Sequence, residues 1–341
     1  MRTPFALNSF EVVLNMLGLL RSSALAPMLF LALFTATPTI AAESYPTKSV
    51  RIVVPYAPGG GSDIIARLLG AKLTEALGQS FVVDNRPGAG SLIASELVAK
   101  AAGDGYTLIL ADVPLTINVS TYARPTYDAV KDFAPIMMVG ITPQILVAHG
   151  SFAPNSLKEL LAMPRAQTEK LPLGTGGTGS SPHMTYELLR LRSGLVLNHV
   201  PYKGGGPATT DVLAGQIPLA LNGAPSAMTY LRANQLKGLG ITSAKRHPLV
   251  PTIPTFEESG VKDFVVYHWY GMLAPARTPP AVVKTLHAEI AKALQAPDVT
   301  KRFTELAINV ANAGPEEFAK IVESDVKRWR EVVKNAGIRI E

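Results

Sequence analysis

Cysteine is absent from this chain of 341 residues. That excludes disulfides, thiol catalysis, cysteine-ligated metal and a lipid-modified cysteine anchor. The histidines, His149, His183, His199, His247, His268 and His287, form no H-E-x-x-H or other short paired spacing. No metal site is expected from them. No G-x-x-x-x-G-K-[ST] cradle for a nucleoside triphosphate occurs, and no G-x-S-x-G elbow for a serine nucleophile. Charge is sparse at 17% of residues, with a formal balance of +6. The basic residues are scattered and not interleaved with aromatics, so the excess fits a small anion and not a nucleic acid.

Long apolar runs are also scarce. The stretch Ala24 to Phe34 follows Arg21 and precedes the small residues Thr39, Ala41 and Ala42. This order of basic, apolar and small residues reads as a signal peptide over 1–42, cleaved near Ala41-Ala42, with a core too short to span a bilayer. A start at Met16 would give a signal of ordinary length. No later run approaches 20 apolar residues, so a soluble, exported, periplasmic protein is expected if the host is Gram-negative.

What the sequence has in quantity is glycine and proline, 28 and 27 residues. The glycines gather in loops that each follow an apolar run and precede a helix-like stretch. These are Pro58-Gly59-Gly60-Gly61-Ser62-Asp63, Arg86-Pro87-Gly88-Ala89-Gly90-Ser91, Gly174 to Ser181, and Tyr202-Lys203-Gly204-Gly205-Gly206-Pro207. A helix N-terminus carries unpaired N–H groups and about half a positive charge. Glycine removes the Cβ that would hold a ligand away from them. Several such ends facing one cleft would bind an anion without a catalytic side chain.

The apolar pattern predicts strands at 50–56, 81–84 and 106–111 alternating with helices at 62–77 and 92–102, the order of a parallel sheet covered by helices. A second series runs from a strand at 144–148 through helix 156–163, strand 171–174, helix 182–192, strand 195–200, helix 207–214 and strands 218–221 and 236–241. An extended run at 265–274 and helices at 279–295, 297–306 and 315–334 complete the chain. The expectation is one domain interrupted by another: 43–142 plus 271–341 as the first lobe and 143–270 as the second, with two crossings forming a hinge.

Gly174-Thr175-Gly176-Gly177-Thr178-Gly179 matches G-x-G-x-x-G between a strand and a helix. A dinucleotide fold needs a carboxylate at the end of the next strand, which here reads Leu197-Asn198-His199-Val200-Pro201. No nicotinamide cofactor is therefore expected. Ser180 and His183 could be read as a nucleophile and base, but a serine at that spacing fits a helix cap. Lys203 beside Tyr202 reads either as a ligand contact or as a solvated loop cation. Trp269, within Tyr267-His268-Trp269-Tyr270, reads equally as hinge packing or as a ligand wall.

Ordered segments along the chain resemble the solute receptors of tripartite tricarboxylate transporters, the Bug receptors. They include V-P-Y-A-P-G-G-G-S-D-I-I-A-R (54–67), V-V-D-N-R-P-G-A-G (82–90), H-V-P-Y-K-G-G-G-P-A (199–208), P-T-I-P-T-F-E-E-S-G (251–260) and W-Y-G-M-L-A-P (269–275). The resemblance implies an α/β, two-lobed, type II-like periplasmic binding protein clamshell, each lobe a mostly parallel sheet flanked by helices. It implies no catalytic residues, no cofactor, and a monomer that delivers a small carboxylate to membrane permease subunits. Ligand-binding residues would be Ala57, Pro58, Gly59, Gly60, Gly61, Ser62 and Asp63 on one lobe. Thr178, Gly179, Ser180, His183, Tyr202, Lys203, Gly204, Gly205, Pro207, Asp211 and Asn222 would come from the other. The ligand could be a dicarboxylate, tricarboxylate, aromatic acid or amino acid. Ser91-Leu92, Pro125-Thr126 and the segment Ala220 to Pro225 depart from the family's usual residues, which keeps ligand identity from transferring. A sensor adaptor of the same fold and a secreted serine hydrolase using Ser180 and His183 are the alternative readings.

Overall fold

The computed structural model describes residues 45–336 apart from Ala123; the expected signal segment lies outside them. The first part of the chain runs β1 (Val50–Val54), α1 (Gly61–Leu77), β2 (Phe81–Asn85), a 3-10 turn (Ala89–Ser91), α2 (Leu92–Ala99), β3 (Thr107–Asp112) and α3 (Pro114–Thr121). The middle part runs β4 (Phe133–His149), α4 (Leu157–Leu161), α5 (Arg165–Thr168), β5 (Pro172–Thr175), α6 (Ser181–Ser193), β6 (Asn198–Pro201), α7 (Gly205–Leu213), β7 (Leu219–Gly223), α8 (Ala224–Arg232) and β8 (Leu236–Ile241). The last part is β9 (Tyr267–Pro275), α9 (Pro280–Gln295), α10 (Pro297–Glu305), β10 (Asn309–Ala313) and α11 (Pro315–Ala336).

In the first array β1 lies between β2 and β3, parallel to both. Its side chains alternate between two cores, as a sheet covered on both faces requires. Ile52 and Val54 pack with Ile65 and Leu69 of α1 and Leu286 and Ile290 of α9. Val53 faces the other way, into a core with Ile109, Leu273 and Phe318. α1 forms because Ile65, Leu69 and Leu73 recur at helical spacing on its buried face. It stops at Gly78, whose φ of 70° suits glycine and whose N–H donates to Thr74 O. In the second array β5 lies between β6 and β7, again parallel, with cores on either side.

The two arrays share β4. From Phe133 to Pro143 it runs antiparallel to β9, and β10 adds beside it. From Gln144 onward its partners become β7 and β8, both antiparallel. The molecule is thus a two-lobed α/β clamshell, parallel within each βαβ run and antiparallel where β4 and β9 carry the chain across. Hydroxyls brace the exchange of partners: Thr142 Oγ1 donates to Ala307 O at 2.8 Å, and Gln144 N donates to Thr242 Oγ1 at 2.9 Å.

Elements unforeseen in the sequence have identifiable causes. β4 begins 11 residues before the expected strand because Pro135 and Pro143 mask its first half, and the ladder there contains bulges. α3 is built from the β-branched run P-L-T-I-N-V-S-T, where tertiary burial overrides propensity. α8 starts with proline in its first turn and buries Ala227, Met228 and Leu231. β10 is a short edge strand with little apolar content.

Close packing between β9 and α11 gives a test. A Cβ on Gly271 would overlap the Phe318 ring, whereas one on Gly150 meets nothing within 4 Å. Gly271→Ala should lower unfolding free energy by roughly 1–3 kcal/mol, and Gly150→Ala should leave it within about 0.5 kcal/mol. Denaturant titration of both variants checks this; equal stabilities would refute the packing assignment.

Candidate functional site

The loops after β1, β2, β5 and β6 and the start of α8 all lie at the carboxyl ends of parallel strands. Ligands of open α/β sheets bind at that edge, because helix N-termini and short loops gather there. Here the loops of the two arrays meet backbone to backbone. Ala57 N donates to Lys203 O at 2.8 Å. A Cβ on Gly206 would lie 2.9 Å from Pro58 O, and one on Gly90 would overlap Thr178 O. Only glycine permits these approaches.

The helices that begin here have few caps of their own. Gly60, Gly204 and Gly223 are the N-caps of α1, α7 and α8, and none offers a side-chain acceptor. α6 alone is capped, by Ser180 Oγ accepting from His183 N at 3.4 Å. The ends of α1 and α7 point at one another: a Cβ on Gly60 would sit 3.8 Å from Gly206 N and 3.9 Å from Gly205 N. Beside these termini is a small cavity of about 40 Å³. Among the described residues no Lys or Arg lines it.

Six of the expected site residues line this cavity: Gly60, Gly61, Ser62, Ser180, Gly205 and Asn222. Pro58, Gly59, Pro207 and Asp211 line a neighbouring depression that shares Ser226 with it. The others shape the walls. Asp63 is withdrawn from the cavity: its carboxylate accepts from Gly59 N at 3.0 Å, Asn85 Nδ2 at 3.0 Å and Arg67 Nε at 3.0 Å. Burial pushes its pKa up, but the Arg67 and Gly59 hydrogen bonds outweigh this and hold it below the ordinary value. Asp63 therefore locks the first glycine loop. Tyr202 donates to Asp211 Oδ2 at 2.7 Å, and burial followed by that carboxylate pushes its phenol up to about 12. Lys203 contributes its carbonyl to the Ala57 contact while the residue itself is exposed, and Gly204 packs against the Tyr56 side chain. Thr178 meets Gly90 through its carbonyl.

Gly179 N donates to His183 Nδ1 at 3.1 Å. His183 stacks on His199 with ring centroids 4.1 Å apart, and His199 Nε2 is 2.7 Å from Thr175 Oγ1. In this arrangement both members of the Ser180–His183 pair have backbone partners. Ser180 Oγ serves the backbone of His183, and the nearer imidazole nitrogen is occupied by a loop N–H. No group of three or more His, Asp or Glu among the described residues stands ready to hold a metal.

Sequence reasoning missed the remaining wall. Tyr56, Asp112, His268 and Tyr270 line the cavity, as do Pro182 and Ser226. Alternation along β9 explains the aromatic segment: His268 and Tyr270 face the cavity. Trp269 faces α11, stacking edge-on against Phe318 and donating Nε1–H to Asp325 Oδ2 at 2.7 Å. Asp112 ends β3 directly across from Tyr270. Its position at a strand terminus ahead of Pro114 was the available signal.

The sequence model of the tripartite tricarboxylate transporter family receptor matches residues 65–338. The chain belongs to that family. This receptor is 33% identical to the protein BugT of Bordetella pertussis over 92% of its own length and 97% of BugT. Its fold matches the solved periplasmic binding protein BugD with a TM-score of 0.84 at 35% identity, covering 87% of this chain and all of that one (100%). MatC from Rhodopseudomonas palustris, solved with malate, matches at 0.81 and 33% identity, covering 85% and 100% of the two chains. Rpa4515 of R. palustris, solved with adipate, matches at 0.82 and 33%, covering 86% and 99%.

The histidine stack gives the receptor a pH signature. Burial pulls His183 and His199 down to about 4. The unfolded chain then binds more protons than the folded one between about pH 6.5 and about pH 4, so stability falls as pH drops through that window. Each ring should account for roughly 1–3 kcal/mol of the loss. Denaturant titrations at about pH 7 and about pH 4.5 should show a smaller loss in His199→Gln than in the parent; identical losses would contradict the assignment.

Proposed function

We propose that this chain is a periplasmic receptor that captures a small carboxylate in the cavity and delivers it to the membrane subunits of a tripartite transporter, without catalysing a reaction. We further propose that the lobes divide at Thr142–Pro143 on the outward crossing and within β9, at Tyr270–Gly271, on the return. The observation that carries the reading is the facing pair of uncapped helix N-termini, α1 and α7, beside a cavity free of lysine and arginine among the described residues. Two positive helix ends repel when brought together, and an anion between them removes that repulsion. The malate and adipate bound by similar proteins support a carboxylate as the anion. Among the described residues no helix is long and apolar enough to cross a membrane, which agrees with a receptor that meets its permease from outside the bilayer.

Affinity needs no catalytic group. Charge-assisted hydrogen bonds contribute roughly 1.5–3 kcal/mol each, and a micromolar Kd requires only about 8 kcal/mol net. Closure follows as a population shift, since only the shut state engages donors from both lobes.

Thermal-shift screening against small carboxylic acids and their amides tests the reading. A ligand at a hundredfold excess over Kd adds about 2.7 kcal/mol of stability, and an acid should do so where its amide does not. Gly60→Asp should weaken binding by about a hundredfold or more, because its carboxylate would occupy the donors. Gly60 has an ordinary φ of −83° and room for a Cβ, so the variant should fold. Unchanged affinity in a folded Gly60→Asp would refute the site.

A further inference from the structure

Three hydrogen-bond acceptors among the residues lining the cavity have nothing to accept from. Asp112, His268 and Asn222 all line it, at 1%, 5% and 0% exposure. Asp112 Oδ1, His268 Nδ1 and Asn222 Oδ1 are each buried without a hydrogen-bond partner among the described residues. Leaving such atoms unpaired is costly, and a native structure needs a reason for each.

Their orientations are fixed by their other contacts. Asn222 Nδ2 donates to Thr209 Oγ1 at 3.0 Å and to Gly205 O at 3.3 Å, so the amide oxygen is the end left over. His268 Nε2 lies 3.3 Å from Asp112 Oδ2; with the ring N–H on that nitrogen, Nδ1 is left as a lone pair. Asp112 Oδ1 makes no hydrogen bond of good geometry, although the Tyr56 phenol stands beside the carboxylate. Burial, followed by the Asp112 carboxylate beside it, keeps the Tyr56 phenol protonated. Tyr270 stacks edge-on to His268 at 4.6 Å, closing that side. Asp112 is also the sole acidic residue on the cavity wall, and no cationic Lys or Arg shares it among the described residues.

From the juxtaposition of uncapped helix N-termini and a cavity wall carrying the unpaired Asp112 carboxylate oxygen beside His268, we infer that the ligand bears a hydrogen-bond donor, an ammonium group, within reach of its carboxylate. The inference rests on the proposed carboxylate capture and narrows it to amino-carboxylates. The helix ends take the carboxylate, and Asp112, aided by His268 beside it, takes the ammonium. A second carboxylate placed against Asp112 would instead meet a like charge, a contact that burial strengthens. Asp112 is thus a specificity-determining residue.

Matched acids that differ only at one carbon test this: alanine, lactate and propionate; aspartate, malate and succinate; phenylalanine, phenyllactate and phenylpropionate. Calorimetric titration of the mature receptor should find an amino member binding about tenfold or more tighter than its hydroxy and unsubstituted counterparts. Asp112→Asn should shrink that ratio toward one, while Gly60→Asp weakens all members together. If that variant does not fold, the ranking on the parent protein decides alone. Equal or tighter binding of the unsubstituted acids overturns the amino-carboxylate assignment and leaves carboxylate capture standing. Silence from these triplets, with an acid lacking any amine binding in the wider screen, overturns it as well. Silence from every acid overturns both.

Discussion

The proposed binding site depends on four glycine loops coming into backbone contact. Ala57 N–H reaches Lys203 O, Gly206 rests on Pro58 and Gly59, and Gly90 rests on Thr178. A side chain at Gly206 or Gly90 would run into the backbone of the facing loop and push the two loops apart. With the loops in contact, the N-termini of α1 and α7 stand within one small ligand of each other. Their electrostatics then become a property of the closed shape. The uncapped N–H groups are tolerable on a solvated surface, and in a shut cavity they become strong donors in a low dielectric. Asp63 underwrites the arrangement by fixing Gly59 through its carboxylate, which Arg67 and Asn85 hold in place.

The scaffold places these termini by ordinary means. Parallel strands β1 and β5 each lie between two parallel neighbours, and β1 is apolar on both faces. Each sends its chain into a glycine loop at the same edge. β9 runs antiparallel to β3, so its beginning arrives where β3 ends. That single reversal brings His268 and Tyr270 to Asp112, and gives the cavity its only acidic wall residue among the described residues.

Much of the frame was legible before the structure. The strands of the βαβ runs, the long helices and the four loops follow from apolar spacing and glycine placement, and Gly60, Gly61, Ser62, Ser180, Gly205 and Asn222 do line the cavity. What escaped was of two kinds. Residues such as Asp112, Ser226 and His268 reach the cavity through strand pairing and register, which a local pattern does not encode. Others, Asp63 and Tyr202 among them, sit in the loops as expected but spend their polar atoms on neighbours. Glycine-rich loops advertise a ligand-facing backbone in sequence. They do not distinguish the side chains that touch a ligand from those that hold the loop still.

β4 runs unbroken for 17 residues and changes partners at Pro143–Gln144, where β9 returns beside it. Two adjacent strands crossing together act less like a tether than like a pair of parallel leaf springs. They bend easily in one direction and resist shear and twist in the others. A clamshell mounted this way has essentially one path between open and shut. Any occupant that bridges the two lobes would bring it to nearly the same outline, whatever its chemistry. A surface spanning both lobes could therefore announce that the cavity is filled without disclosing what fills it.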